Sequence, residues 1–276
     1  MWLAEDDPIR KQDLDLEKPY VNAAGLLGFA PDPRTMPFLG RLGAFITNPI
    51  SRRPRQPAGN RCCLPYPGGF LLHTGLPNPG ISAVIRQHRH RWASASLPII
   101  VHLLAEEPGS LAEMIRKLEG LENLLAVELG LPPDCTPERL ADFLAAAEGE
   151  LPALVCLGPE QLPLLLPTLQ ALNPIALHLT QPRGTLPGPD GALIAGRLYG
   201  PAPHPGMLHT AREPGGALWP SRARRNGGCA RQSAEGRSVA ETATRSGAQP
   251  RGPMTARGLG AAPPAPTAGA LVLSWP

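Results

Sequence analysis

The chain has 276 residues, of which 42% are hydrophobic, enough for one large domain or two small ones with a sizeable core. A net charge of +3 is too small for a nucleic-acid binder, and it is unevenly spread: residues 211–276 hold nine Arg and three Glu, leaving the rest at −3. Aromatic residues are only 4%, whereas 36 Pro and 30 Gly approach the low-complexity range, so one segment is expected not to fold. The five cysteines (Cys62, Cys63, Cys135, Cys156 and Cys229) are an odd number with neither framework spacing nor a CxxC pair, which points to a reducing cytoplasm and no metal. The start, Met1 to Asp7, is acidic and lacks a signal-peptide pattern, and no apolar run reaches the roughly 18–20 residues of a membrane span. A soluble cytoplasmic protein without membrane or nucleic-acid partners is expected.

Two short strand candidates come first, Tyr20–Ala24 and Ala44–Thr47, followed by a Pro/Arg/Gly-rich excursion from Ser51 to Gly80. The basic run Arg86, His88, Arg89, His90 and Arg91 falls near the end of a helix, where cations suit the dipole. From 97 to 180 short apolar runs alternate with stretches of helical period. The runs 98–104, 124–129, 153–157 and 175–179 are apolar on both faces, as buried parallel strands are. Between them Leu111, Met114, Ile115 and Leu118 share one helix face, and Ser110 with Glu113 forms a capping-box pattern. The next helix has Thr136 as N-cap, Pro137 at its first position and Leu140, Phe143, Leu144 and Ala147 on one face. A third follows Gly158-Pro159 with Leu162, Leu165, Leu166 and Leu169 in phase and Pro167 inside it. Residues 181–205 read as a Gly/Pro-rich loop region.

Beyond about residue 206 the composition changes. Between Ser221 and Ala270 the large apolar residues are Val239, Met254 and Leu259, and Lys and Asp are absent, so a disordered 207–276 tail is expected. It also reads like an out-of-frame translation of GC-rich DNA. Consecutive βαβ units over six strands fit either an open doubly wound sheet or an incomplete eight-strand barrel. No GxGxxG or Walker-type loop follows the first strand, which favours a (β/α)8 TIM-type α/β barrel with about six strands encoded, over residues 1–206.

Several stretches carry a family pattern in order. Lys18-Pro19-Tyr20-Val21-Asn22-Ala23-Ala24-Gly25 is similar to N-P-V-x-N-A-S-G; Leu42 to Ser51 resembles L-G-A-x-x-T-K-S-x-T; Pro54 to Asn60 resembles P-R-x-G-N; and Gly75-Leu76-Pro77-Asn78-Pro79-Gly80 is similar to G-L-x-N-P-G. Val127 to Asp134 stands where E-x-N-x-S-C-P-N would, and Gly196 to Ala202 where G-x-L-S-G-P-A would. Over roughly residues 9–205 the chain thus resembles the dihydroorotate dehydrogenase family, class 1-like.

That resemblance implies an FMN-dependent oxidoreductase turning dihydroorotate into orotate in pyrimidine biosynthesis, as a homodimer or with an electron-transfer subunit. It implies FMN near Ala23, Ala24, Gly25, Thr47, Asn48 and Gly200, and substrate at Asn78. The family's base position is Pro133, with Cys135 two residues on as a displaced candidate. Its Lys positions are Asn48 and Cys156, its first motif Asn is Gly130 and its last Cys135, an Asn before Gly75 is Leu72, and the sixth-strand Asn is His178 or Leu179. A non-catalytic descendant, an interaction module or decaying gene product, is therefore the alternative reading. Glu128 suits a structural role as well as a functional one, and His178 is expected to pair within the core.

Overall fold

In a computed structural model, the structure describes residues 14, 16–59, 63–172, 174, 176–203, 205–206 and, by backbone alone, 271–273. They belong to one unit comprising residues 1–223 and 270–276. Four long apolar runs become parallel strands, because each is covered on both faces. They are β4 (Ile99–Leu104), β5 (Leu124–Gly130), β6 (Ala153–Leu157) and β7 (Ala176–Leu179). Together with β1 (Phe45–Ile46) they form one sheet in chain order, paired parallel throughout.

The expected first strand at 20–24 is reduced to one parallel bridge, Val21 to Ala44. Its neighbour Asn22 takes over the pairing with its side chain: the amide oxygen accepts from Ile46 N (2.9 Å) and the amide nitrogen donates to Ile46 O (2.7 Å). Gly43 explains how the chain comes this close, since a Cβ there would stand 2.1 Å from Lys18 O. The wall therefore has six parallel members, which makes an incomplete α/β barrel.

Helices α1 (Ile81–Ala93), α2 (Pro108–Arg116), α3 (Pro137–Ala146) and α4 (Leu162–Leu172) carry the connections. The periodic residues face the sheet as their spacing predicts: Leu111, Met114, Ile115 and Leu118 are buried, as are Leu140, Phe143, Leu162, Leu165 and Leu169. Thr136 caps α3, its Oγ1 accepting from Arg139 N at 3.3 Å. The capping box at Ser110 does not form. Helix α2 begins at Pro108, so Ser110 lies inside its first turn, and Glu113 binds Arg52 and Lys117 instead. Proline at the first helical position moved the start three residues upstream, with Glu107 as the N-cap.

The two segments expected as loops, 51–80 and 181–205, pair with each other. Strands β2 (Cys63–Tyr66), β3 (Gly69–Leu72), β8 (Arg183–Pro187) and β9 (Leu193–Tyr199) form an antiparallel sheet in the order β2-β3-β9-β8. Phe70 stacks on its cross-strand partner Tyr199 with ring centroids 5.4 Å apart. Glycine is required where the strands close on one another: a Cβ at Gly69 would lie 2.0 Å from Tyr199 O. Of the expected tail, β10 (Leu271–Leu273) pairs antiparallel with β7 at the end of the parallel sheet; the remainder beyond Gly206 lies outside the described residues.

The parallel sheet has two unlike faces. Val101, Val127, Leu129, Val155 and Leu177 belong to the large core that also contains the helices' buried residues. Residues of the opposite parity, Ile100, Ala126, Leu154 and Ala176, form a separate small core with Ala44 and Ile46. On that second parity, one pleat further toward the strands' carboxyl ends, stand His102, Glu128, Cys156 and His178.

Candidate functional site

Functional residues of a barrel gather at the carboxyl ends of its strands, and here that level is polar and buried. Glu128 is fully buried, and His102, His178 and Cys156 are each no more than 5% exposed. Strand pairing explains the grouping: His102 is opposite Glu128, and Cys156 is opposite His178. The Glu128 carboxylate accepts from both imidazoles, His102 Nδ1 on Oε2 at 2.5 Å and His178 Nδ1 on Oε1. A buried carboxylate has acceptor capacity only, so each Nδ1 carries the proton. Among the described residues, Nε2 of His178 is buried without a hydrogen-bond partner of good geometry.

Burial, the largest single influence on Glu128, opposes its ionisation. The charge of His178 and the bonds from both histidines outweigh it and hold the carboxyl well below the usual carboxylate range. Burial likewise opposes protonation of His178, but Glu128 and then Cys156 win, and its imidazolium persists well above the ordinary histidine value. Burial and the Glu128 charge push the Cys156 thiol up. Gly130 makes room for this arrangement: a Cβ there would stand 2.4 Å from His102 Nε2.

The residues expected to meet cofactor and substrate are largely spent on backbone. Thr47 Oγ1 accepts from His102 N (3.1 Å) and donates to Asn48 O (3.1 Å), and Asn48 Oδ1 accepts from Gly28 N (3.0 Å). Asn78 is buried, its Oδ1 accepting from Ser51 N, Ser51 Oγ and Gly80 N while Nδ2 donates to Leu76 O. It thereby holds together a loop in which Gly75 and Gly80 both have positive φ, at 75° and 81°. Gly200 packs against the β2–β3 turn, where a Cβ would lie 2.5 Å from Gly68 O. Ala23 and Ala24 are half-buried and Gly25 is exposed with φ of 87°.

Pro133 is exposed, in the loop between β5 and α3. Cys135 is buried within the helix-side core, its Sγ donating to Thr136 O at 3.6 Å, and burial pushes its thiol up to about 11. It is a neutral packing group. His178 and Glu128 were legible singly; what strand pairing adds is His102, and the thiol of Cys156 beside them. The signal was present: one polar or thiol residue at the same depth in each of four consecutive apolar strands.

A family model described as dihydroorotate dehydrogenase matches residues 10–146. The catalytic subunit of dihydroorotate dehydrogenase B (NAD(+)) from Trichlorobacter lovleyi is 26% identical over 222 residues, 71% of each chain. The subunits of the same name from Desulforudis audaxviator and Geotalea uraniireducens are 28% identical over 118 residues and 32% over 114, covering 43% and 40% of this chain. These last two alignments span 38% and 37% of the relatives' own lengths. No described helix is long and apolar enough to cross a membrane. With the parallel wall of an incomplete barrel and the matched segment running from before its first bridge through α3, these matches support assigning the chain to the dihydroorotate dehydrogenase family.

Proposed function

We propose that this chain is a family member that keeps the barrel wall but has lost the proton transfer by which dihydroorotate is oxidised. One observation carries the reading: at the place of the base stands Pro133, which has no titratable proton, and the nearest thiol, Cys135, is buried, neutral and bonded to its own neighbour. A positioned base typically contributes about 10²–10⁴-fold in rate. The described residues also do not fit FMN as a set. Thr47 and Asn48 are engaged with backbone, Gly200 faces a turn, and the two Lys positions hold Asn48 and the buried thiol of Cys156. The activity, FMN, a dihydroorotate-like ligand, an electron-transfer subunit or second copy, and a cytoplasmic place in pyrimidine biosynthesis are expectations from the sequence and its family resemblance. The division into a 1–206 barrel and a 207–276 tail is an expectation from composition.

A second reading, retention of FMN-dependent oxidoreductase activity, is favoured by the small residues Ala23, Ala24 and Gly25 near the end of the first strand, where a flat ring can approach closely. Purified full-length chain separates the two. The first reading expects no flavin absorbance after reconstitution with FMN and no bleaching by dihydroorotate under anaerobic conditions. Stoichiometric FMN that dihydroorotate reduces would overturn it. If FMN binds but is not reduced, Pro133→Cys with Asn48→Lys is expected to restore measurable reduction where only point losses separate the chain from its relatives.

A further inference from the structure

Cys156 and His178, which stand at a Lys and an Asn position of the family pattern, have a chemistry of their own together with His102 and Glu128. A ring nitrogen of His102, a carboxylate oxygen of Glu128 and Sγ of Cys156 all lie within 4.8 Å of one another, on three adjacent strands. His178, on the fourth strand, hydrogen-bonds Glu128 and interacts with the Cys156 thiol. We propose that His102, Glu128 and Cys156 bind a divalent cation of the zinc class, with His178 closing the fourth position. This site is independent of any flavin reaction.

Four arguments support it. The donor set is one thiolate, one carboxylate and two imidazoles, which suits a borderline-soft, tetrahedral ion and disfavours magnesium or calcium, whose ligands are all oxygen. The ligands come from extended strands packed on both faces, so their positions are fixed by sheet register rather than by loops. Tetrahedral bonds of about 2.0–2.3 Å place ligand atoms roughly 3.5 Å apart, so the His102, Glu128 and Cys156 atoms, all within 4.8 Å of one another, need to close by roughly 1 Å. Finally, His178 Nε2 is buried with no hydrogen-bond partner of good geometry among the described residues, a cost that coordination through the ring relieves.

On loading, the Cys156 thiol gives up its proton to become the thiolate ligand, each coordinating ring nitrogen binds without a proton, and the dication is balanced by one carboxylate and one thiolate, with no electrons moved.

The test uses the full-length chain, reduced, stripped with chelator and titrated with Co²⁺ as the probe. The expected result is one equivalent bound, with a thiolate-to-cobalt charge-transfer band and the intense visible bands of a tetrahedral ion, and displacement of both by Zn²⁺. Cys156→Ser is expected to abolish the charge-transfer band while Cys135→Ser leaves it intact, and His178→Ala to weaken binding by roughly 10–100-fold. Should Cys156→Ser fail to fold by circular dichroism, a variant lacking the other four cysteines must keep the band. No charge-transfer band in the parent chain, or a band that survives Cys156→Ser or is lost when the other cysteines are removed from a folded chain, overturns the proposal.

Discussion

The two faces of the parallel wall solve the problem of burial in opposite ways. The helix-side face is Val, Leu and Ile packed against the equally apolar stripes of α2, α3 and α4, and no residue there depends on one particular partner. The inner face carries a small apolar cluster at one level and, at the next, four groups that depend on one another: His102 and His178 share one carboxylate, and Cys156 abuts them. Area removed from water stabilises the first face. The second is stable only as a complete set, because an ionised Glu128 at that depth without its histidines has no compensation. The groups at the strand ends of a barrel can therefore differ without changing the wall behind them.

The sharpest way to break this comparison is Glu128→Ala. It strands a buried imidazolium, and a loss of about 3–5 kcal/mol in urea unfolding is expected. Leu129→Ala, next along the same strand but on the helix side, is expected to lose about 2–5 kcal/mol by cavity formation. The two are told apart by rescue. Replacing His178 by Leu in a Glu128→Leu background is expected to recover part of the first loss, whereas no second-site change of charge rescues Leu129→Ala. Gly130→Ala follows, at about 1–3 kcal/mol by overpacking, since the new Cβ would stand 2.4 Å from His102 Nε2 and the ring must leave Glu128 to make room. If its unfolding midpoint matches the parent, the His102 ring is not held as described.

Titration sharpens the contrast further, measured on chelator-treated protein. The folded value of His178 is raised, so its contribution is complete below the ordinary histidine value of about 6.5 and is lost as pH rises through the folded value. That of Glu128 is depressed, so its contribution is complete above the ordinary carboxylate value of about 4.3 and is lost as pH falls. The pair is at full strength between those two limits. Above about 6.5 stability is expected to fall by up to about 1.4 kcal/mol per pH unit, and His178→Gln should flatten that slope. An unchanged slope in the variant would mean that another group carries it.

The wall was readable from sequence because a parallel strand buried on both faces leaves an unbroken apolar run, and the α3 cap because Thr136-Pro137 acts locally. The antiparallel sheet was not. Its strands include Pro65, Gly69, Gly184, Pro187 and Gly196, whose composition signals loop, and β3 finds its partner β9 more than a hundred residues away. At the site the same rule applies: Glu128 and His178 stood out singly as polar residues in apolar strands, but their bond spans 50 residues of sequence and depends on register. Asn78 drew notice as a substrate ligand through the family motif, and what it does here is close a loop on Ser51 and Gly80. A motif records which residue is present, not whether its hydrogen bonds are already spent.

The smallest expected effect tests whether the two faces are energetically separate. Thr136 Oγ1 satisfies one orphan N–H at the start of α3, and Thr136→Ala should cost about 1 kcal/mol whatever stands on the inner face. Combined with Glu128→Ala, the two losses are expected to add within about 0.5 kcal/mol, because they share no partner. Glu128→Ala with His178→Ala must fall short of additivity, since the second change removes the charge that the first left uncompensated. If the Thr136 pair also failed to add, the wall between the faces would be transmitting strain, and the inner set could not exchange its chemistry without disturbing the helices.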